Sequence, residues 1–169
     1  MEFWLLVRTK TRQERRALEH LSRQGVVVFL PEVKLQKLTR NSTVECYEAL
    51  FPGYLFVGWN EESGMNFNAL RSTRGVLDVV RFGSEMAKVP CELVSALRDR
   101  CVSSQHQLAE QLSNVPRKGD RVVITEGPFK GLDAVFVEPD GDTRAFLLIT
   151  LLQQQVETVQ PFAHFRRAG

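Results

Sequence analysis

The sequence predicts an α+β protein with two parts, a larger N-terminal α/β sandwich domain and a small C-terminal domain. Three observations support this over the 169 residues. An apolar strand and an amphipathic helix open the chain, a segment rich in Gln, Ser and Asn follows residue 101, and glycine-bounded turns dominate the tail. The predicted units are a domain over residues 1–101, a linker over 102–116 and a domain over 117–169.

The first helix is predicted from an apolar stripe that follows a short buried strand. The strand is Phe3–Arg8, and the spacing of Thr11 and Glu14 is typical of a capping box at the start of a helix. Gly25 is expected to end this helix. Helical spacing would place three basic residues along one edge of it, namely Arg12, Arg16 and His20.

The middle of the chain alternates further strands with two short helices. The strongest strand signal is Leu50–Val57, which is apolar and aromatic. Helices are expected over Gly64–Leu70 and Cys91–Cys101, the second after Pro90. The other predicted strands are Val26–Leu30, Val33–Leu38 and Val76–Phe82.

The tail begins with signals for a small β-barrel. Strands are predicted over Arg121–Thr125 and Asp133–Glu138, and the loop Gly127–Gly131 contains Pro128. Pro139–Gly141 is typical of a hairpin turn. The tail of about 53 residues is close to the lower limit for independent folding, so its own core would be small.

The segment Thr143–Val159 favours helix and strand at once. It contains no Gly or Pro and is rich in Leu and Gln, which favours helix, whereas the preceding hairpin signal favours sheet. A helix would carry one long apolar stripe that needs a partner surface. The stripe consists of Ala145, Leu148, Ile149, Leu152, Val156 and Val159.

Composition and cysteine usage exclude several classes of protein. Hydrophobic residues make up 43% and charged residues 25% of the chain, close to the average of globular proteins, which excludes a disordered, collagen-like or coiled-coil chain. The apolar run Phe3–Val7 is too short for a signal peptide or a membrane span. Cys46, Cys91 and Cys101 form no CxxC motif, so we expect no disulfide framework, no metal site and a cytoplasmic location.

Positive charge is concentrated at the start of the chain. Residues 1–40 contain nine Lys or Arg and four Asp or Glu, whereas residues 101–169 contain seven and eight. A basic segment of this kind fits either a solvated helix or a face that meets an anionic polymer. The slightly acidic tail argues against a ribosomal RNA-binding protein. No catalytic constellation or nucleotide-binding loop is present, so we predict that the chain is not an enzyme and needs no cofactor.

Short motifs that belong together run along the whole chain. They are Trp4, Lys10, Arg16, Glu19–Leu21, Leu50–Pro52, Tyr54–Val57, Thr73–Gly75, Val80–Gly83, Ile124–Gly127 and Glu138–Gly141. With the block Lys118–Gly131, they resemble the NusG family of transcription elongation factors, and within it most closely the RfaH-type antiterminators. That block is similar to the KOW motif of the family.

The resemblance implies a monomeric factor that binds RNA polymerase and suppresses pausing and termination. The polymerase contacts would be the clamp helices of the β′ subunit and the gate loop of the β subunit. RfaH-type factors also read the exposed non-template DNA strand at an operon-specific element. Their C-terminal domain exists as an α-helical hairpin that masks the polymerase site, or as an SH3-like five-stranded β-barrel that contacts a small-subunit ribosomal protein.

The resemblance assigns three groups of site residues. The DNA-binding residues would be Lys10, Arg16, His20, Thr73 and Arg74. The polymerase-binding residues would be Phe51, Tyr54, Phe56, Phe82, Val94 and Leu97. Glu48 and Arg144 would form an ion pair that latches the two domains together.

Two features depart from the RfaH-type pattern. The expected gate-loop contact is rich in His and Thr, whereas this chain has Met65, Asn66, Phe67 and Asn68. Pro128 is typical of a NusG-like KOW turn and would cost about 3 kcal/mol inside a helix. A general NusG-like elongation factor without fold switching is therefore the alternative prediction.

Overall fold

The computed structural model of the chain describes residues 2–111, 132–136, 138 and 140–168. The predicted strand Arg121–Thr125, the KOW-like block Lys118–Gly131 and Pro128 lie outside these residues. The described strands are β1 (Phe3–Thr9), β2 (Val28–Phe29), β3 (Glu32–Leu38), β4 (Thr43–Ala49), β5 (Tyr54–Trp59), β6 (Val76–Val79), β7 (Arg81–Phe82), β8 (Glu85–Met86) and β9 (Lys88–Val89).

The main sheet is antiparallel and is built around β1. Its strand order is β2-β5-β1-β6, and β9 also pairs with β1. Strands β3 and β4 form a separate hairpin, as do β7 and β8. The described helices are α1 (Glu14–Arg23), α2 (Phe67–Arg71), α3 (Cys91–Gln111), α4 (Leu132–Val135) and α5 (Gly141–Ala168), with a 3-10 turn at Glu61–Ser63.

Strand β1 separates two apolar clusters because its side chains alternate between the faces of the sheet. Leu5 and Val7 pack with the helix residues Ala17 and Leu21 of α1 on one face. Trp4 and Leu6 point to the other face and belong to a second cluster that includes residues of α3, α4 and α5. All four of these β1 residues are at most 5% exposed, so both faces of the strand are covered.

The first strand and helix are confirmed, but the predicted capping box is wrong. Helix α1 begins at Glu14, and its N-cap residue Gln13 makes no side-chain capping bond. Glu14 instead accepts a hydrogen bond at Oε1 from the amide of Gly53, at 2.8 Å. A long-range partner therefore replaces the local cap, and Arg12 precedes the helix rather than lying on its edge with Arg16.

Several element boundaries in the N-terminal part differ from the predictions: β2 is shorter than the predicted Val26–Leu30, and the predicted Val76–Phe82 divides into β6 and β7. Strand β5 begins at Tyr54 instead of Leu50 because the Tyr54 amide donates to the Phe51 carbonyl in a turn, at 3.0 Å. The predicted helix over Gly64–Leu70 is the shorter α2, whose cap Asn66 accepts from the Asn68 amide. Helix α3 continues to Gln111, ten residues past its predicted end, while the division into domains stays a prediction.

In the tail, the helix alternative for Thr143–Val159 is confirmed because α5 spans it. The predicted strand Asp133–Glu138 is wrong, since Leu132–Val135 is the short helix α4 and Val135 is buried in the second apolar cluster. The predicted hairpin turn is also wrong. Asp140 caps α5 instead, accepting from the Asp142 amide at 3.1 Å and the Thr143 hydroxyl at 3.2 Å.

No helix in the described part of the chain is long and apolar enough to span a membrane.

Candidate functional site

Gly75 brings three candidate DNA-binding residues to one place. The Lys10 amide donates to the Gly75 carbonyl at 2.9 Å, which joins the end of β1 to the turn after α2. Gly75 has φ +89°, and a Cβ at this position would lie 2.8 Å from the Ala17 backbone nitrogen. Helix α1 therefore approaches the turn at a distance only Gly permits. Lys10, Arg16 and Arg74, all exposed, surround this contact, and we call them the cationic surface.

The other two candidate DNA-binding residues are less accessible. His20 is half-buried. Thr73 is 6% exposed, and its hydroxyl donates to the Ala69 carbonyl at 2.9 Å and accepts from Gln24 Nε2 at 3.0 Å. The assignment of Thr73 to the DNA site stays a prediction, and these two bonds occupy its hydroxyl. Its side chain ties α2 to the end of α1 and so supports the turn that carries Arg74.

Several other basic side chains form ion pairs with carboxylates. Arg15 Nη2 lies 2.7 Å from Glu32 Oε2, and this hydrogen bond, with the charge of Glu32, raises the pKa of Arg15. A hydrogen bond from Lys34 to Glu45 raises the pKa of Lys34 in the same way. Among the described residues, Lys10, Arg16 and Arg74 have no ion-pair partner, which leaves their charges available to an anion.

The six candidate polymerase-binding residues, here called the apolar face, lie in a single cluster on the side of the sheet opposite α1. Phe51, Phe56, Val94 and Leu97 are at most 1% exposed, so they do not face solvent in this structure. The two half-buried members, Tyr54 and Phe82, pack against the same cluster.

Helices α4 and α5 supply the cover for the apolar face. Val135 of α4 and Ala145, Leu148 and Leu152 of α5 belong to the same cluster and are at most 6% exposed. On the outer side of α5, Phe146 is 69% exposed. Helix α5 therefore presents an apolar stripe to the N-terminal part, as an amphipathic helix on a core does.

Arg144 joins α5 to the N-terminal part through more contacts than the predicted ion pair. Its Nη2 lies 3.7 Å from Glu48 Oε2, and the Glu48 side chain is 41% exposed. The guanidinium is nearly buried and donates to the carbonyls of Leu50 at 2.8 Å, Glu138 at 3.0 Å and Ala49 at 3.4 Å. Arg144 and Glu48 are thus adjacent, as expected, but backbone carbonyls supply the closer contacts.

Gly141, the first residue of α5, makes this docking possible. A Cβ on Gly141 would lie 2.6 Å from Cγ of the Pro52 ring and 3.3 Å from Arg144 Nη2. The turn that contains Pro52 therefore contacts the helix start directly. The sequence contained one signal for this contact, the pairing of the Leu50–Pro52 and Glu138–Gly141 motifs in the same resemblance.

The stretch expected to contact the gate loop has a structural role in this chain. Phe67 stacks on Trp59 with ring centroids 4.4 Å apart and an angle of 8°, and Met65 packs against the same cluster as Leu5. Asn66 caps α2 through its side chain. Asn66 and Asn68 are the two exposed residues of this segment.

The described residues provide no cluster for a metal ion, and the thiol of Cys101 is poorly suited to nucleophilic chemistry. They contain no group of three or more His, Cys, Asp or Glu side chains that could hold a metal ion. Burial raises the pKa of the Cys101 thiol to about 11, which keeps it protonated near neutral pH and makes it a poor nucleophile.

A match to a known family agrees with the resemblance to the NusG family and does not distinguish an RfaH-type factor within it. A family described as "Transcription termination factor nusG" matches residues 2–98. Among solved structures, the chain is similar to one from a study of domain interaction in Thermotoga maritima NusG, with 22% sequence identity and a TM-score of 0.40. That similarity covers 76% of this chain and 75% of the Thermotoga chain.

Proposed function

The chain belongs to the NusG family of transcription factors, and from this premise we propose that it is an RfaH-type antitermination factor. In this proposal it binds RNA polymerase and the exposed non-template DNA strand, and suppresses pausing and termination at particular operons. It performs no chemical reaction and needs no cofactor.

One observation carries the proposal: the apolar face is covered by helices of the chain's own tail. The β′ clamp helices are the proposed partner of that face, and they could bind only after α5 leaves it. The burial of Leu148 and Leu152 against Phe51 and Phe56 supports an autoinhibited state. Hydrophobic burial is non-covalent and non-directional, so the helix can dissociate once the linker is cut and the tail is diluted.

The cationic surface is the proposed site for DNA. Lys10, Arg16 and Arg74 are exposed and carry charges that can attract phosphates, while His20 lies at their edge. An Arg can also read guanine through O6 and N7, which a single strand exposes. Since the apolar face lies on the other side of the sheet, DNA and polymerase could be held at the same time.

After release, the tail is proposed to refold into the SH3-like β-barrel of a KOW domain and to contact a small-subunit ribosomal protein. The motif Lys118–Gly131 and its glycines support the β state, and the helical stripe of α5 supports the α state. The alternative function is a general NusG-like elongation factor whose tail does not switch, and Pro128 favours it because Pro opposes a helix there.

Separating the tail tests the autoinhibition directly. We expect cleavage at a protease site inserted near Ser113 to raise the affinity for a peptide of the β′ clamp helices at least tenfold, because α5 can then leave the apolar face. Circular dichroism of the released tail should show a loss of helix and a gain of strand. The control is the same protein before cleavage.

Two results would contradict this proposal. Equal affinity before and after cleavage would show that the tail does not mask the site. A tail that is a β-barrel in both the intact and the cleaved chain would favour the general NusG-like function.

The DNA site is tested with Lys10→Ala and Arg74→Ala. Each should lower the affinity for single-stranded DNA and reduce the slope of log affinity against log salt by about 0.7, the value for one lost phosphate contact. Thermal stability should change by less than about 0.5 kcal/mol because both side chains are exposed. The matched control is Arg71→Ala, whose side chain already pairs with Asp78 at 3.1 Å. Unchanged DNA binding by the double variant would remove these residues from the site.

A further inference from the structure

We propose that Arg12 and Arg8 form a second phosphate-contacting segment that extends the cationic surface into the cleft between the start of α1 and the start of α5. This inference rests on the proposed DNA binding and adds residues that the family resemblance does not assign. It stands on the backbone geometry of Arg12, the lining of the cleft and the pairing of the charges around it.

The backbone of Arg12 is the first observation. Arg12 has φ +61°, and among the described residues it is the one non-glycine residue with a positive φ. It lies in a tight turn that is closed by a hydrogen bond of 3.0 Å from the Gln13 amide to the Lys10 carbonyl. Glycine would occupy this left-handed position at lower cost. A large cationic side chain at such a position reduces stability, so we infer that the charge is retained for binding.

The cleft is the second observation. It has a volume of about 1220 Å³ and lies between β1, α1, the β3–β4 hairpin and α5. Arg8 and Arg12 line it and are exposed. Lys10 lies between them in sequence, and its amide donates to the Gly75 carbonyl, so this edge of the cleft is adjacent to the cationic surface.

Charge pairing is the third observation. Arg15 also lines the cleft, but it forms an ion pair in which its Nη2 lies 2.7 Å from Glu32 Oε2. Glu14 accepts from the Gly53 amide, and Glu48 lies beside Arg144. Arg8 and Arg12 have no ion-pair partner among the residues that the structure describes. A phosphate would therefore find two available guanidinium groups on this wall of the cleft.

The opposite wall determines where the phosphates would lie. It carries the exposed carboxylates of Asp140 and Asp142 at the start of α5, and Asp140 is engaged as the helix cap. These carboxylates repel an anionic backbone, so a bound strand would follow the β1 and α1 side of the cleft. The occupant that fits is a single nucleic-acid strand, because its phosphates follow a line of separate cations.

The test measures binding of the full-length chain to a short mixed-sequence single-stranded DNA oligonucleotide over a range of salt concentrations. We expect Arg12→Gly to weaken binding about 3- to 10-fold and to reduce the salt slope by about 0.7, while its melting temperature stays equal or rises. Arg12→Lys should keep the slope. Adding Arg8→Gln to Arg12→Gly should reduce the slope by about 1.4 in total.

The control is the double variant Arg15→Gln/Glu32→Gln, which removes an ion pair of zero net charge from the same cleft and should leave the slope nearly unchanged. If Lys10→Ala weakens binding while Arg12→Gly leaves affinity and slope unchanged, this inference is wrong and the proposed DNA function stands. If the unaltered chain does not bind the oligonucleotide, or Lys10→Ala has no effect, the proposed DNA function fails and this inference fails with it.

Discussion

Replacing Arg144 with Ala is expected to destabilise the docking of α5 by about 3 kcal/mol and to expose the apolar face in the full-length chain. The substitution removes a charged donor from three backbone carbonyls and leaves the buried carbonyl of Leu50 without it. A hydrogen bond from a charged group contributes about 1.5–3 kcal/mol, and an unsatisfied buried carbonyl adds a desolvation cost. Hydrogen exchange at the amides of α5 and affinity for the β′ clamp helices should both increase.

Glu48→Gln is the matched control for Arg144. Glu48 is 41% exposed and its carboxylate lies 3.7 Å from the guanidinium, so its loss should cost less than about 1 kcal/mol. Arg144 would keep its carbonyl acceptors in that variant. Equal effects of the two substitutions would contradict the geometry, because they would mean that the ion pair, not the carbonyls, holds α5.

Gly75→Ala should lower the free energy of unfolding by about 2–4 kcal/mol and weaken DNA binding together with it. Two costs add at this position. The backbone has φ +89°, and a Cβ would lie 2.8 Å from the Ala17 backbone nitrogen. Helix α1 would have to move away from the turn that holds Arg74, which separates Lys10 and Arg16 from Arg74. Urea unfolding and single-stranded DNA binding would measure the two effects.

Gly83→Ala separates the two costs. Gly83 has φ +67°, but a Cβ added there would meet no atom within 4 Å, so only the backbone cost of about 1 kcal/mol applies. The difference between the two variants is the contribution of the close approach to Ala17. Equal destabilisation by both substitutions would show that α1 adapts freely at Gly75 and would contradict a fixed cationic surface.

Local sequence patterns were sufficient where one apolar pattern dominated. The continuous apolar run of β1 and the stripe of α1 follow from the chain itself, and both are confirmed. The helical preference of Thr143–Val159 also outweighed the sheet signals before it. In each case the apolar pattern extended over enough residues to define a face.

Long-range contacts determined several structural features that local sequence patterns could not predict. The capping prediction at Thr11 failed because Glu14 bonds to Gly53, which is 39 positions away. The pattern of Asp133–Glu138 predicted a strand. In the structure, Val135 is buried in a cluster with residues of the N-terminal part, and the Glu138 carbonyl accepts a hydrogen bond from Arg144. The burial of Thr73 likewise depends on Gln24, a partner that no spacing within its own turn indicates.

The contacts of Arg144 also limit what could open the molecule. Carbonyl oxygens do not titrate, so acidification within the physiological range does not change the acceptors of these bonds. Their burial also protects them from screening, so added salt should have little effect. A change in pH or salt concentration is therefore not expected to break these bonds and release α5. Opening requires a competitor that offers the apolar face a better surface than α5 does, and the chain would remain closed until it meets that competitor.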